Sequence, residues 1–310
     1  MCGIAGFMSS EPIGKQEAYK LSRALLFYAR SRGSQSAGIY TNNILMKKAI
    51  DPNSFIETSD FYNLFNDDTS YALIHTRMPT SGSRGDDGAQ PFKVNDTITV
   101  HNGYYHDVKN LKTKWGLEKE SGVDSELIAR YIAAHGVLTL PKFIEKTDGP
   151  SAIAVMHENE LFFIRSGNPL ATCQFEFDDG NKILLFASTK YILYSALKYV
   201  WLISDSIQSK ELPERVLIRA TPDGMETLSE PFSDEHLWLG FGDLNAYTNN
   251  WEATGSLYSG YQGIGGLNDD LPPYGPYGVD KAQKRYFPDR GKSYSKKYKG
   301  YDKQDRTNKR

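Results

Sequence analysis

Met1-Cys2-Gly3-Ile4-Ala5-Gly6 opens the chain, and the reading of these six residues decides the fold. A cysteine directly after the initiator methionine, followed by a small, strand-like run, places a thiol where removal of Met1 leaves it beside a free α-amine. That amine titrates near pKa ~8 and a free thiol near ~8.5, so one residue could supply both nucleophile and base. The same cysteine also reads as an incidental buried residue at the start of a strand. Six residues do not separate the two readings, and the rest of the chain has to decide.

Length and composition set the frame. At 310 residues the chain has room for two domains, or for one large domain with an appendage. No run approaches the ~18 apolar residues of a membrane span, and the N-terminus lacks a basic-then-apolar secretory pattern. The expectation is a soluble cytoplasmic protein with no membrane partner. Cys2 and Cys173 are the only cysteines, too few for a disulfide framework or a zinc-ligand cluster, so no metal is expected. No Gly-rich phosphate loop of the P-loop type occurs, and nothing calls for a cofactor. The net charge of −2 conceals an asymmetry: residues 281–310 hold twelve Lys and Arg against three Asp, so the preceding 280 residues carry −11.

Taken in order, the segment Lys15 to Ala29 places Ala18, Leu21, Leu25 and Tyr28 at helical spacing. Arg32-Gly33-Ser34-Gln35-Ser36-Ala37-Gly38 comes after it, and its two glycines read as a tight turn into a strand. Phe55 to Asp68 predicts no defined element. Tyr71 to Arg77 reads as a short buried strand ending in polar residues, where sheets commonly present functional groups. A glycine-rich loop, Met78 to Pro91, comes next and is suited either to closing over a small ligand or to plain surface connection.

A β-branched run from Thr97 to Val100 leads into His101-Asn102-Gly103. Asn-Gly is ordinarily a turn. Here it could also offer a side-chain amide and a backbone N–H pointing the same way, as an oxyanion hole requires. Asp124 reads as the N-cap of an amphipathic helix through Leu127, Ile128, Tyr131 and Ile132, with Ser125 as a second candidate. A free carboxylate at Asp124 could instead hold a substrate ammonium group. Strands are predicted over 151–156, 161–164, 183–187, 216–219 and 225–228, with a Pro222-Asp223-Gly224 turn between the last two, and a helix over 190–201. Many antiparallel-style strands with a few long helices predict an α+β layered domain. Past about Asp243 the chain becomes a low-complexity mixture of Tyr, Gly, Asn, Ser and Lys, read as disordered when alone. Its later half interleaves tyrosine with lysine, which suits a solvated or partner-docking tail and equally loose contact with nucleic acid.

Together, in order and spacing, these pieces resemble the glutaminase domain of class II, N-terminal-nucleophile glutamine amidotransferases over about residues 2–235. The resemblance is carried by Met1-Cys2-Gly3-Ile4, Arg32-Gly33 through Ser36-Ala37-Gly38, His75-Thr76-Arg77, Ala89-Gln90-Pro91-Phe92, His101-Asn102-Gly103 and Asp124-Ser125-Glu126. Ala-Gln-Pro-Phe and Asp-Ser-Glu lean toward amidophosphoribosyltransferase, whereas Arg-Gly with Ser-Ala-Gly and His-Thr-Arg also resemble glucosamine-phosphate synthase. The resemblance implies a four-layer α/β/β/α sandwich over 1–240 with a low-complexity tail over 241–310. It implies that Cys2 attacks the side-chain amide of L-glutamine with its own α-amine as base, while Asn102 and the Gly103 N–H hold the oxyanion. Arg77 would take the α-carboxylate, with Thr80 as a secondary candidate, and Asp124 with Gly103 the α-ammonium. Met78 stands where the two branches carry tryptophan or tyrosine, and Ser81 where they carry histidine or alanine, which puts substrate sealing rather than chemistry in question. None of the second catalytic domains of the fused enzymes is recognisable in the tail. The expected function is a stand-alone glutaminase that supplies ammonia to a separate synthase. The alternatives are an amidohydrolase of the same fold acting on another γ-glutamyl amide, and a non-catalytic scaffold that uses its basic tail to engage nucleic acid or a partner.

Overall fold

The computed structural model describes residues 2–78, 82–105, 108–117, 121–147, 149–201 and 208–233. The elements run β1 (Gly3–Ser9), α1 (Lys15–Ala29), β2 (Ser36–Thr41), β3 (Ile44–Lys48), α2 (Pro52–Ile56), α3 (Ser59–Asn63), β4 (Tyr71–Arg77), β5 (Phe92–Val94) and β6 (Thr97–Gly103). They continue with α4 (Val108–Trp115), α5 (Glu126–His135), α6 (Leu140–Ile144), β7 (Ser151–His157), β8 (Glu160–Ser166), β9 (Ala171–Glu176), β10 (Lys182–Ala187), α7 (Lys190–Trp201), β11 (Ser209–Glu211), β12 (Ile218–Thr221) and β13 (Gly224–Thr227).

Two antiparallel sheets form, in the orders β11-β9-β10-β1-β4-β2-β3 and β13-β12-β8-β7-β6-β5. Strand alternation sorts their side chains into layers. Ile4, Leu73, Leu184 and Phe186 of the first sheet meet Val100, Ala152, Ala154 and Phe163 of the second between the sheets, where the rings of Phe163 and Phe186 lie 4.9 Å apart. The opposite face of the first sheet, through Ala5, Phe7, Ala72 and Ile74, packs on α1 and α7. Ile153, Val155, Phe162 and Ile164 turn the second sheet's outer face onto α5 and α6. Helix, sheet, sheet, helix is the expected four-layer sandwich. Sheets covered on both faces require near-continuous apolar strands, which is how Ile183–Ala187 and Ser151–Met156 read.

β1 lies near the middle of the first sheet, paired with β10 on one side and β4 on the other. Its small residues answer to crowding: a Cβ at Gly6 would stand 2.2 Å from the Ala72 carbonyl oxygen, and one at Gly3 2.5 Å from Thr76 Oγ1. Gly33 and Gly38 are needed for the same reason rather than for a tight turn. Gly33 has extended backbone, and a Cβ there would meet the Arg77 backbone at 2.5 Å, while one at Gly38 would meet the Gln90 carbonyl oxygen at 2.0 Å.

Phe55 to Asp68, without a predicted element, holds the end of α2 and the whole of α3. Asp51 caps α2 by accepting from the Asn53 N–H, and Thr58 caps α3 by accepting from the Phe61 N–H. Phe55, Phe61 and Phe65 from this stretch are buried against α1. Two five-residue helices are too short to establish a 3.6-residue pattern, which is why periodicity does not find them. The short strands β3, β5 and β11, and the longer β9, are likewise absent from the expected elements. The Pro222-Asp223 turn closes the β12–β13 hairpin, whose first strand starts two residues toward the C-terminus from its predicted start. No single described helix is long and apolar enough to cross a membrane. The tail over 241–310 lies outside the described residues.

Candidate active site

The ends of β1, β4 and β6 converge. Gly3 pairs with Thr76, which sets Cys2 beside Arg77, the last residue of β4. Thr76 Oγ1 donates to the Ala29 carbonyl at 2.8 Å and Arg32 Nε to the Cys2 carbonyl at 2.9 Å, so the end of α1 fixes both strand ends. From the second sheet, the Cys2 backbone nitrogen donates to Asn102 Oδ1 at 2.9 Å. This bond orients the amide. Asn102 is buried, and its Nδ2 has no hydrogen-bond partner among the described residues. A buried unpaired donor is costly, about 1–3 kcal/mol, unless something at the site uses it.

Asn102 and Gly103 do not form a turn. Both remain in β6, paired with Ala152 and Ser151 of β7. Nor does Asp124 cap α5 with its side chain. Its Oδ2 accepts from the Tyr105 N–H at 2.9 Å and its Oδ1 from the Ser125 N–H at 3.0 Å, so the carboxylate is tied to the segment just past β6. The Ser125 hydroxyl faces inward as well, 2.8 Å from His101 Nδ1. Arg77 is buried, and one Nη1–H donates to the Ser83 carbonyl at 2.6 Å. Cys2, Asp124 and Asp87 are the charge partners that favour its cationic form, against burial, which lowers its pKa. Cys2, Arg77, Asn102, Gly103 and Asp124, five of the six residues singled out in the sequence, thus gather at one place. Thr80 and Ser81 lie outside the described residues.

The chain is 27% identical over 189 residues to glutamine–fructose-6-phosphate aminotransferase of Agrobacterium fabrum, a match covering 55% of this chain and 29% of that protein. It is 28% identical over 216 residues to the enzyme of the same name from Buchnera aphidicola, covering 63% of this chain and 34% of that protein. No family model matches. The fold is shared with the glutamine phosphoribosylpyrophosphate amidotransferase of B. subtilis: TM-score 0.54, 20% identity, 76% of this chain and 50% of the other. A second solved structure, described as the allosteric regulatory enzyme of purine biosynthesis, gives 0.55 at 22% identity, with the same coverage. The chain thus resembles the class II glutamine amidotransferases in sequence and shares their fold. The matched stretch spans about a third of the length of these curated relatives.

The electrostatics around Cys2 oppose one another. Burial pushes the thiol pKa up, and the backbone hydrogen bond with Met78 and the guanidinium groups of Arg77 and Arg32 offset only part of that rise. Cys173, by contrast, is buried in β9 without such neighbours, and burial pushes it up to about 12. Behind Asn102 runs a buried polar network whose roles the sequence did not indicate. Gln90 accepts from the His101 N–H at 2.7 Å and donates to the His101 carbonyl at 3.1 Å. His75 Nε2 lies 3.1 Å from that same carbonyl and bridges the two sheets, and His101 Nε2 lies 3.3 Å from the Ser151 hydroxyl. Burial holds both imidazoles neutral, His75 down to about 3. Gln90 and Ser125 stood inside recognisable motifs; Ser151 and Asn168 carried no signal beyond a strand start and a Gly-Asn-Pro turn. No group of three or more His, Cys, Asp or Glu with metal-holding geometry occurs among the described residues.

Proposed function

We propose that the chain hydrolyses the side-chain amide of L-glutamine through a Cys2 thioester, releasing glutamate, and ammonia for a separate synthase. The observation that carries this reading is the Cys2 nitrogen bonded at 2.9 Å to Asn102 Oδ1, with Asn102 Nδ2 unpaired beside it. Once Met1 is removed, the unprotonated form of that nitrogen has one N–H committed to Asn102 and a lone pair to accept the thiol proton. The sulfur bonds to the amide carbon, the carbonyl becomes an oxyanion, and Asn102 Nδ2 with the Gly103 N–H stabilises it. The amine passes its proton to the leaving nitrogen, ammonia departs and a thioester remains. Water then adds to the thioester, the amine takes the water's proton, and glutamate leaves as the thiol re-forms.

Arg77 pairs with the glutamine α-carboxylate, a planar charge-assisted contact, assisted by Thr80, and Asp124 with Gly103 takes the α-ammonium. The relatives' names support glutamine as the nitrogen source. Residues 1–240 form the glutaminase domain and 241–310 a separate appendage. Purified chain lacking Met1 is expected to release glutamate from glutamine, to be labelled at Cys2 by a glutamine-analogue electrophile in mass spectrometry, and to lose both with Cys2→Ala. Turnover surviving Cys2→Ala sinks the mechanism, and preference for another γ-glutamyl amide over glutamine in a substrate panel reassigns the substrate. Salt-sensitive retention of nucleic acid, lost on truncation at Asp243, is the result that assigns the appendage a nucleic-acid role.

A further inference from the structure

The peptide that joins Asn102 to Gly103 has two ends, and only one faces the reacting oxygen. His101 exchanges both its backbone bonds with the Gln90 side chain, on the side of β6 away from β7. Backbone groups alternate sides along a strand, so the Asn102 carbonyl points toward β7 and the Gly103 N–H away from it. On the β7 side the carbonyl meets Asn168, whose Nδ2 donates to it at 2.8 Å and to the Pro150 carbonyl at 3.1 Å. One amide group therefore ties the start of β7 to the end of β6.

Asn168 is itself held in place. Gly167 has φ +76°, a left-handed conformation that glycine accepts readily, and this turn comes directly after β8. Ser151 and Gly167 form an isolated bridge, which docks the turn against the start of β7. A Cβ at Gly103 would stand 2.3 Å from the Pro150 carbonyl oxygen, so the second carbonyl that Asn168 grips is the one pressed against Gly103.

We propose that Asn168 is a positioning residue for the oxyanion donor. By gripping the carbonyl of the Asn102–Gly103 peptide, it fixes the plane of that peptide and polarises it, so that the Gly103 N–H on the far side is a better aimed and stronger donor. A hydrogen bond accepted by a peptide carbonyl strengthens the donor at the other end of the same peptide. The inference rests on the glutaminase reading, in which the Gly103 N–H faces the oxyanion.

The test uses the full chain lacking Met1 and two variants, Asn168→Asp and Asn168→Ala. The first keeps the shape but removes both N–H donors and sets a carboxylate against two carbonyls. Three quantities are read: steady-state glutamine hydrolysis, affinity for L-glutamate, and affinity for glutamate γ-semialdehyde, to which the Cys2 thiol adds to form a hemithioacetal whose oxygen occupies the oxyanion position. We expect kcat to fall by roughly 10- to 100-fold, more for Asn168→Asp, and semialdehyde affinity to fall in parallel. KM and glutamate affinity stay within about twofold, because Arg77 and Asp124, the charged clamps on the amino acid, are untouched. Unchanged kcat in both variants overturns the proposal while leaving the glutaminase reading intact. Equal losses of kcat and glutamate affinity overturn it too, since they mark Asn168 as merely structural. A parent chain that neither turns over glutamine nor binds the semialdehyde removes the reading, and the proposal with it.

Discussion

The ends of β4 and β6 reach the same site by opposite means. At the β6 end Asn102 is buried and braced from three directions: Cys2 in front, Gln90 through His101 on one flank, Asn168 on the other. At the β4 end Arg77 is buried, but the chain passes directly from it into a loop. Met78 is 52% exposed, and the stretch 82–89 is tied to the body at β3 and its exit, where the Lys47 side chain donates to the Ala89 carbonyl at 2.8 Å and the Ala49 backbone N–H to the Asp86 carboxylate at 2.6 Å. Groups that must meet a developing charge gain from rigidity, because they need no reorganisation as the charge forms. The side chain proposed to grip the amino acid sits instead beside a segment held to the body by a few, largely exposed, hydrogen bonds. The contrast predicts that damage at β6 falls on kcat and damage at β4 on KM.

Asn102→Ala is the strongest way to break that division. It removes the Nδ2 donor and the acceptor for the Cys2 nitrogen together, and kcat is expected to drop about 10²- to 10³-fold with KM little changed. A dominant KM effect in steady-state kinetics would reverse the roles assigned to the two strand ends. Arg77→Lys keeps the charge but loses the planar fork, and the expected result is a loss in kcat/KM of about 10- to 100-fold, carried mainly by KM. If kcat fell instead, the guanidinium would be acting on the thiol, whose charge it also feels, rather than on the substrate.

How far the sequence anticipated this contrast depends on the physics of each end. Tyr71–Arg77 and Lys15–Ala29 coincide with their elements residue for residue, because strands and helices buried on regular faces leave a regular apolar pattern. The motif residues Cys2, Arg77, Asn102 and Asp124 were legible as residue types in order, though their partners were not. Asn102-Gly103 reads as a turn because the local preference of Asn-Gly is overridden by pairing with β7. Asp124 reads as a cap because a carboxylate before a helix looks the same whether it bonds forward into the helix or backward to Tyr105. Asn168 was invisible: a bond spanning 66 residues to a backbone carbonyl leaves no local pattern.

The brace behind Asn102 has a consequence for pH. His75 and His101 are neutral in the fold, since burial lowers both, His75 to about 3. In the unfolded chain they protonate near ~6.5. Stability is therefore full above about pH 6.5 and declines as pH falls toward the folded values, below which the fold binds the same protons and the loss stops. Each imidazole contributes ~1.4 kcal/mol per pH unit in that window, about 2 kcal/mol by pH 5. Urea unfolding at pH 7 and pH 5 measures it, and His75→Gln is expected to remove about half of the histidine-linked decline. A variant whose decline matched the parent's would mean that the bridge between the sheets is not held by a neutral histidine.

The smallest expected effect sharpens the β4 side. Lys47 Nζ also donates to the Asp87 carbonyl at 3.3 Å, and it lies 4.7 Å from the centre of the Phe92 ring. Burial draws its pKa down, with Glu126, Asp87 and Asp86 opposing. Lys47→Met preserves the apolar stem on Phe92 but frees the two carbonyls, so the loop after Arg77 loses one of its tethers without any change at β6. KM for glutamine is expected to rise by about 3- to 10-fold at constant kcat, within what a charge-assisted bond of roughly 1.5–3 kcal/mol allows when it is only half shielded from water. Hydrogen exchange should quicken at residues 82–89 and stay unchanged at 101–103. A fall in kcat with KM constant would show that the loop and the oxyanion strand are mechanically one unit, and the division between the two strand ends would not stand.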